Sequence, residues 1–90
     1  MVRLFVRHPV ADFEKWHAGY RKAAALRAEH GVKQDTVWQA VDAPNDVTVS
    51  HVFDSAEAAK SFSTSAALKE KMKELGVSGP PSIWIVEEVR

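Results

Sequence analysis

The sequence predicts an α+β fold of the ferredoxin-like type, whose elements follow one another in the order βαββαβ. Apolar residues alternate with a period of two in four short stretches, as they do in half-buried strands. Two longer stretches carry apolar residues at helical spacing, and a glycine follows each of them. The 90 residues predict a single domain over 1–90. With both helical regions on one face, the expected order of the antiparallel strands is 4-1-3-2.

The first half of the chain predicts a strand over about 2–8, followed by a helix over about 12–30. Asp12 is the expected N-cap, because its carboxylate can accept hydrogen bonds from the free amides of the first helical turn. Gly31 occupies the position after the helix at which a left-handed residue is favoured.

The second half predicts a hairpin, a second helical region and a last strand. Strands over 32–41 and 47–54 flank a turn at 42–46, which contains Pro and Asn. The helical region over 55–75 is capped by Asp54 or Ser55. Its run of Ser and Thr predicts a break, with Ser65 capping a second piece and Gly76 ending it. The last strand is expected over 82–89.

Both faces of this sheet carry large apolar side chains, although two helices can cover only one of them. In the last strand Ile83 and Ile85 point to one face, while Trp84 and Val86 point to the other. A large apolar side chain left in water forfeits roughly 1.5–3 kcal/mol of stabilisation. We therefore expect a second copy of the chain to cover the open face and form a dimeric α/β barrel. The alternative is a monomer with a modest apolar patch.

Composition and charge exclude several classes of function. The chain has 12 basic residues, 12 acidic residues and no cysteine. Nucleic-acid-binding proteins normally carry a basic excess, and without cysteine there are no disulfides, thiolate metal sites or cysteine nucleophiles. We see no apolar run that could span a membrane and no signal-peptide pattern. We therefore expect a cytoplasmic protein with no nucleic-acid or membrane partner.

Two of the four histidines are candidates for proton transfer. His8 ends the first strand, and His51 lies in the third, its expected neighbour in the sheet. A histidine beside an apolar cavity can act as an acid or a base near neutral pH. The alternative for both is a structural hydrogen bond. The histidine spacing offers no helical metal pair, and we expect neither a metal nor a cofactor.

Aromatic residues and one arginine are candidates for binding a small molecule. Trp16 and Tyr20 lie one helical turn apart, and they either pack on the sheet or contact a ligand. Arg7 either anchors an anionic group or pairs with a carboxylate such as Glu87 or Glu88. Two further candidates lie on strands and line either a pocket or a dimer interface, namely Trp38 and Trp84.

The stretch RHPVADFEKW at 7–16 resembles the opening motif of small dimeric α/β-barrel proteins that are often labelled antibiotic-biosynthesis-monooxygenase-like or cyclase-like. The resemblance continues through APND at 43–46, FDS at 53–55 and GPP at 79–81. It implies a homodimer with an apolar pocket between helices and sheet, suited to an aromatic or polyketide-like ligand. It also places Phe53 at a strand position that is often Trp in relatives, and hence among the ligand-binding candidates.

Two functions of different classes follow. The first is a cofactor-independent monooxygenase or cyclase in which His8 or His51 takes a proton from a substrate hydroxyl. Tyr20 or Arg7 would then stabilise the oxyanion. The second is a non-catalytic ligand-binding or stress-associated dimer. Oxygenases of this fold commonly use an Asn with a Trp in the pocket, whereas Asn45 lies in the predicted turn, and this favours the second function. The aromatic residues and the paired histidines of the central strands favour the first.

Overall fold

The computed structural model describes residues 1–89, which form four helices and a sheet of four strands. In chain order the elements are β1 (Val2–Pro9), α1 (Phe13–Lys22), α2 (Ala24–Glu29), β2 (Gln34–Ala40), β3 (Ala43–Phe53), α3 (Ala56–Ser63), α4 (Ala66–Glu74) and β4 (Ser82–Glu87). The antiparallel sheet has the order β2-β3-β1-β4, so the ferredoxin-like topology and the predicted strand order are confirmed. Within residues 1–89, no helix is both long and apolar enough to cross a membrane.

The predicted helix over 12–30 begins and ends as expected but is interrupted at Ala23. The Asp12 carboxylate accepts from the Lys15 amide at 3.2 Å, which confirms the N-cap. At the interruption, the carbonyl of Tyr20 accepts from the Ala23 amide at 3.1 Å and from the Arg27 side chain at 2.6 Å. The single-helix prediction is therefore wrong in this respect, because a side chain competes for a carbonyl that an unbroken helix would use.

The second helical region is divided where the Ser and Thr run predicts a break. Ser65 begins α4 by accepting from the Leu68 amide at 3.1 Å, and Ser55 begins α3 by accepting from the Ala58 amide at 3.2 Å. The region ends at Gly76, whose φ of +83° is in the left-handed range that glycine adopts without strain.

The hairpin turn is shorter than predicted, since β3 already begins at Ala43. Asn45 and Asp46 belong to the strand because they pair with the end of β1. The Val10 amide donates to the Asn45 carbonyl at 2.8 Å, and Asp46 lies opposite Pro9. Tertiary pairing thus overrides the turn preference of these residues. The outer strands are also shorter than predicted.

The sheet presents two different faces, which we call the covered face and the open face. The helices pack on the covered face, where Trp16 of α1 and Phe62 of α3 belong to the main apolar core. On the open face Trp38, Trp84 and Val86 keep 53%, 42% and 43% of their surface exposed. The buried covered-face residues of the central strands are Val2, Leu4, Val6, His8, Val47, Val49, His51 and Phe53.

Candidate functional site

A cavity of about 40 Å³ lies between the covered face and the helices. One water needs roughly 10–15 Å³ of such space, so the cavity is only a few waters in size. Sites for drug-sized ligands measure roughly 300–1,000 Å³. The lining is mostly apolar, and its large apolar members are Val6, Trp16, Leu26, Val49, Phe62, Leu68, Met72 and Leu75.

Four of the predicted site residues meet at this cavity. Strand alternation brings His8 of β1 and His51 of β3 to the covered face, because His8 pairs with Val47 and His51 pairs with Leu4. Trp16 and Tyr20 of α1 approach from the other side, with their rings stacked at a centroid distance of 4.9 Å. The covered face thus gathers two histidines and two aromatic residues around one space.

The Tyr20 hydroxyl connects His51 to a carboxylate. Its oxygen lies 2.8 Å from His51 Nε2 and 2.9 Å from Asp35 Oδ2. An ionised carboxylate only accepts hydrogen bonds, so Tyr20 donates its single proton to Asp35. His51 must then donate from Nε2 to the Tyr20 oxygen. Its Nδ1 is left as an acceptor, and this atom is buried with no partner among the described residues.

Arg27 fixes this chain of hydrogen bonds from the side of α2. Its Nη1 donates to the Tyr20 carbonyl at 2.6 Å, and its Nε lies 3.3 Å from Asp35 Oδ2. Its guanidinium also lies over the Tyr20 ring, 3.7 Å from the centroid, a favourable cation–π geometry. Sequence reasoning missed both Arg27 and Asp35. The available signal for the contact between Tyr20 and Arg27 was their spacing of seven residues, which is about two helical turns and brings both side chains to the same side of a helix.

Both cavity histidines are neutral at pH 7. Burial lowers the pKa of His51 to about 4, with a further decrease from the Arg27 charge and a partial increase from Asp35. Burial also lowers the pKa of His8, while the nearby backbone and the Asp46 carboxylate oppose that shift in part. Burial raises the pKa of Tyr20. At neutral pH both imidazoles can therefore accept a proton, and Tyr20 keeps its own.

His8 lies on the cavity wall, and within residues 1–89 no hydrogen bond joins its ring to another side chain. Its ring contacts Trp16 edge-on at a centroid distance of 5.7 Å. Its Nδ1 is buried with no partner within residues 1–89. Because buried polar atoms are normally paired, an unpartnered nitrogen on the wall of a cavity is suited to a bound molecule.

Arg7 lies away from the cavity, on the open side of β1. It forms two charge-assisted hydrogen bonds with Asp46, Nη2 to Oδ2 at 2.6 Å and Nε to Oδ1 at 3.0 Å. The expected pairing with a carboxylate is found, but the partner is Asp46 rather than Glu87 or Glu88, because the β1–β3 register brings Asp46 diagonally across from Arg7. These bonds raise the pKa of Arg7 and lower the pKa of Asp46.

The three remaining aromatic candidates also lie outside the cavity. Trp84 stacks on Phe5 across the open face at a centroid distance of 5.3 Å, and Trp38 donates to the Ser50 hydroxyl at 3.3 Å. Phe53 is fully buried in the core and packs against Phe62 at 5.8 Å. Alternation along the strands places the two tryptophans opposite the face that carries the histidines.

Asn45 does not reach the cavity. Its side-chain oxygen accepts from the Phe13 amide at 3.1 Å, which fixes the beginning of α1 against β3. Among the described residues, no group of three or more His, Asp or Glu side chains is arranged to hold a metal ion.

We find no match among protein-family models and none among curated proteins. Solved structures match over nearly the whole chain. A candidate antibiotic biosynthesis monooxygenase from Bordetella bronchiseptica superposes with a TM-score of 0.83 at 18% identity, covering 99% of this chain and 97% of that one. The fold is that of antibiotic biosynthesis monooxygenase structures.

Two further neighbours have named activities or ligands. SnoaB, a cofactor-independent oxygenase from Streptomyces nogalater, gives a TM-score of 0.78 at 14% identity, covering 99% of this chain and 93% of SnoaB. A Streptomyces coelicolor monooxygenase from the gene ActVA-Orf6, solved with nanaomycin D, gives 0.68 at 18% identity, with coverage of 99% and 88%. At such identities the likeness concerns the fold.

Proposed function

We propose that the chain is a homodimeric small-molecule-binding protein that acts, without a cofactor, as a monooxygenase or cyclase on an aromatic or polyketide-like hydroxyl compound. The observation that carries the proposal is the cavity wall, where two neutral, buried histidines have unpartnered Nδ1 atoms. The activity named for SnoaB and the ligand bound by the Streptomyces coelicolor enzyme favour this chemistry over other uses of the fold.

The proposed reaction begins when a cavity histidine accepts the proton of a phenolic hydroxyl. The electron pair stays on the oxygen, and the ring becomes electron-rich. Dioxygen is the oxidant: one of its atoms forms a new C–O bond to a ring carbon, and the other leaves as water with the hydrogens of the hydroxyl and that carbon. The apolar lining keeps bulk water from the reacting ring.

The structure changes the expected roles of Arg7 and Tyr20 in this scheme. Arg7 lies outside the cavity, and the single hydroxyl proton of Tyr20 is donated to Asp35. The positive groups that do line the cavity are Arg27 and Lys71. We propose that their charge favours the anionic form of a bound phenol.

The small volume implies that a ring-sized substrate must displace side chains to enter. Helix α4 covers the cavity with Leu68, Lys71 and Met72, followed by Leu75, and none of its nine residues is fully buried. Unbranched methionine and lysine side chains change rotamer easily. We propose that the ligand enters by moving the α4 side chains, since the core strands on the other wall are closely packed.

The homodimer is proposed from the open face. Trp84 and Val86 of β4 are exposed beside Phe5, which stacks on Trp84, and Trp38 of β2 is exposed at the opposite edge of the same face. Large apolar side chains in such a group are typical of an interface. A second copy that packs its own open face on this one would bury both groups and close a barrel.

The proposed activity is tested by oxygen consumption with a panel of dihydroxynaphthalenes. We expect turnover by the wild-type protein and its loss in His51→Ala. His8→Ala tests the same role for the second histidine. His17→Ala, a histidine outside the cavity lining, is the matched control. Turnover that persists in both cavity variants would contradict the proton-transfer roles.

A non-catalytic ligand-binding dimer is the second candidate. Asn45 lies in β3 and its side chain binds the Phe13 amide outside the cavity, which favours this candidate because the oxygenases of this fold commonly place an asparagine in the pocket. Binding of a dihydroxynaphthalene without oxygen uptake, measured by quenching of tryptophan fluorescence, would support this candidate and contradict the first.

A further inference from the structure

A continuous chain of hydrogen bonds joins the cavity to the protein surface. His51 is 2% exposed and lines the cavity, whereas the Asp35 side chain is 38% exposed at the other end. The Tyr20 oxygen bridges them at 2.8 Å and 2.9 Å. In this geometry each of the three groups can accept a proton from one neighbour and release a proton to the next.

We infer that His51, Tyr20 and Asp35 form a proton path that carries a proton from a hydroxyl group bound in the cavity to bulk solvent. The inference rests on the proposed function, since that function requires a proton to be taken from a bound hydroxyl in an apolar site and to be given back when water forms. It assigns to Tyr20 and Asp35 a positioning and relay role that acts through His51.

The transfer balances along the chain. The substrate O–H bond breaks, its electron pair remains on oxygen, and the proton binds His51 Nδ1. The Nε2 proton of His51 moves to the Tyr20 oxygen as the Tyr20 hydroxyl proton moves to Asp35 Oδ2. The protonated Asp35 carboxyl then releases its proton to water. A proton returning by the same route to a product oxygen restores the starting tautomer of His51.

Arg27 has a different part, because a guanidinium stays protonated and cannot relay protons. Arg27 lies beside Asp35 and over the Tyr20 ring, and it therefore holds these two side chains in the geometry of the path.

The path gives different roles to the two cavity histidines. His51 has a neighbour to which it can pass a proton. His8 has no side-chain hydrogen bond in the part of the chain that the structure describes. A proton accepted by His8 would remain inside the cavity, so His51 is the base that can turn over repeatedly.

The first test is the tautomer of His51 in the free protein, observed from the nitrogen chemical shifts of its ring by NMR. The path predicts the Nε2–H tautomer at pH 7. A dominant Nδ1–H tautomer would overturn the inference, because Nδ1 could not then accept the substrate proton.

The second test is the kinetics of Asp35→Asn with 1,4-dihydroxynaphthalene. An asparagine oxygen can still accept from Tyr20 but cannot carry a proton away. We expect kcat to fall about ten-fold or more with KM nearly unchanged, and the solvent deuterium isotope effect to change. In Asp35→Ala, added formate is expected to restore part of kcat. Asp42→Asn, in the exposed turn before β3, is the matched control.

The outcomes separate the path from the proposed function. Turnover with the same kcat and isotope effect in Asp35→Asn overturns the path and leaves the proposed function standing. Absence of turnover by the wild-type protein overturns the proposed function, and the path falls with it. Equal urea midpoints for wild type and Asp35→Asn show that a loss of kcat does not come from unfolding.

Discussion

The covered and open faces of the sheet are made from alternate residues of the same strands, yet they are completed in different ways. On the covered face Leu4, Val47 and Phe53 are fully buried by elements of the same chain. On the open face Trp38 and Trp84 remain about half exposed. The helices of the same chain therefore cover one face, and the other is the face on which we propose that a second copy packs.

The polar groups follow the same division. On the covered face the Tyr20 hydroxyl, Asp35 and His51 are bound to one another around a cavity. On the open side Arg7 and Asp46 form a solvent-facing pair at the edge of the apolar group. We therefore expect ligand binding and proton transfer on the covered face, and association with a second copy of the chain on the open face.

The largest difference between the faces is expected in stability. Phe62→Ala removes a ring that is 1% exposed and widens a cavity, and such a change lowers the free energy of unfolding by about 3–5 kcal/mol. Trp38→Ala removes a larger but exposed ring, and we expect it to lower the free energy of unfolding by about 1 kcal/mol or less in dilute protein. Urea unfolding followed by circular dichroism measures both. Equal losses would contradict the division of the faces.

The next effect is the pH dependence of stability that His51 causes. Because its pKa is lowered to about 4 in the folded protein, the unfolded chain binds a proton first as the pH falls. The stabilisation is complete above the ordinary histidine pKa and is lost as the pH falls towards 4. The full loss is up to about 3 kcal/mol.

Urea unfolding at pH 7 and pH 5 tests this prediction. We expect the wild-type protein to lose more stability over this interval than His51→Gln. The groups facing His51 are Tyr20, Asp35 and Arg27, and the substitution changes none of them. The same slope in both proteins would mean that His51 is not held neutral by burial.

Association is the third effect. Trp84→Glu places a carboxylate beside Phe5 on the open face, and we expect the dissociation constant of the proposed dimer to rise about 30-fold or more. Ala25→Glu, on the exposed side of α2, is the control and should leave association unchanged. Equal dissociation constants for Trp84→Glu and wild type in sedimentation equilibrium would argue against this interface.

The smallest effect is expected at the edge of the open face. Arg7→Ala removes two hydrogen bonds to Asp46, but the pair is exposed and each ion is well solvated when separated. We expect Arg7→Ala to change the free energy of unfolding less than Phe62→Ala or Trp38→Ala does. Added salt screens the ion pair, so we expect the difference between Arg7→Ala and the wild-type protein to become smaller still. A decrease in the free energy of unfolding as large as that of Phe62→Ala would contradict this expectation and show that the pair stabilises the fold.

Much of the fold follows from local patterns in the sequence. A period of two along β1 places His8 with Leu4 and Val6, and the helical spacing of Trp16 and Tyr20 brings both to one side of α1. These patterns therefore predicted four of the cavity residues. They also predicted the caps at Asp12 and Ser65, because capping depends on the residue itself and its nearest amides.

The parts that sequence reasoning missed depend on contacts between elements rather than on the pattern within one element. Arg27 and Asp35 meet only because α2 packs beside the start of β2, and the helix break at Ala23 follows from the Arg27 bond to Tyr20. The volume of the cavity depends on how the α4 side chains fill the space, which spacing along the chain does not specify. The roles of His8 and His51 differ for the same reason, since only the folded chain gives His51 a partner.

The most direct test of the division between the faces is sedimentation equilibrium of the wild-type protein at micromolar concentration. The chain has a mass of 10.0 kDa, and the open face predicts a particle of twice that mass. A folded particle with the mass of a single chain over the whole concentration range would contradict a sheet that needs a second copy to complete it.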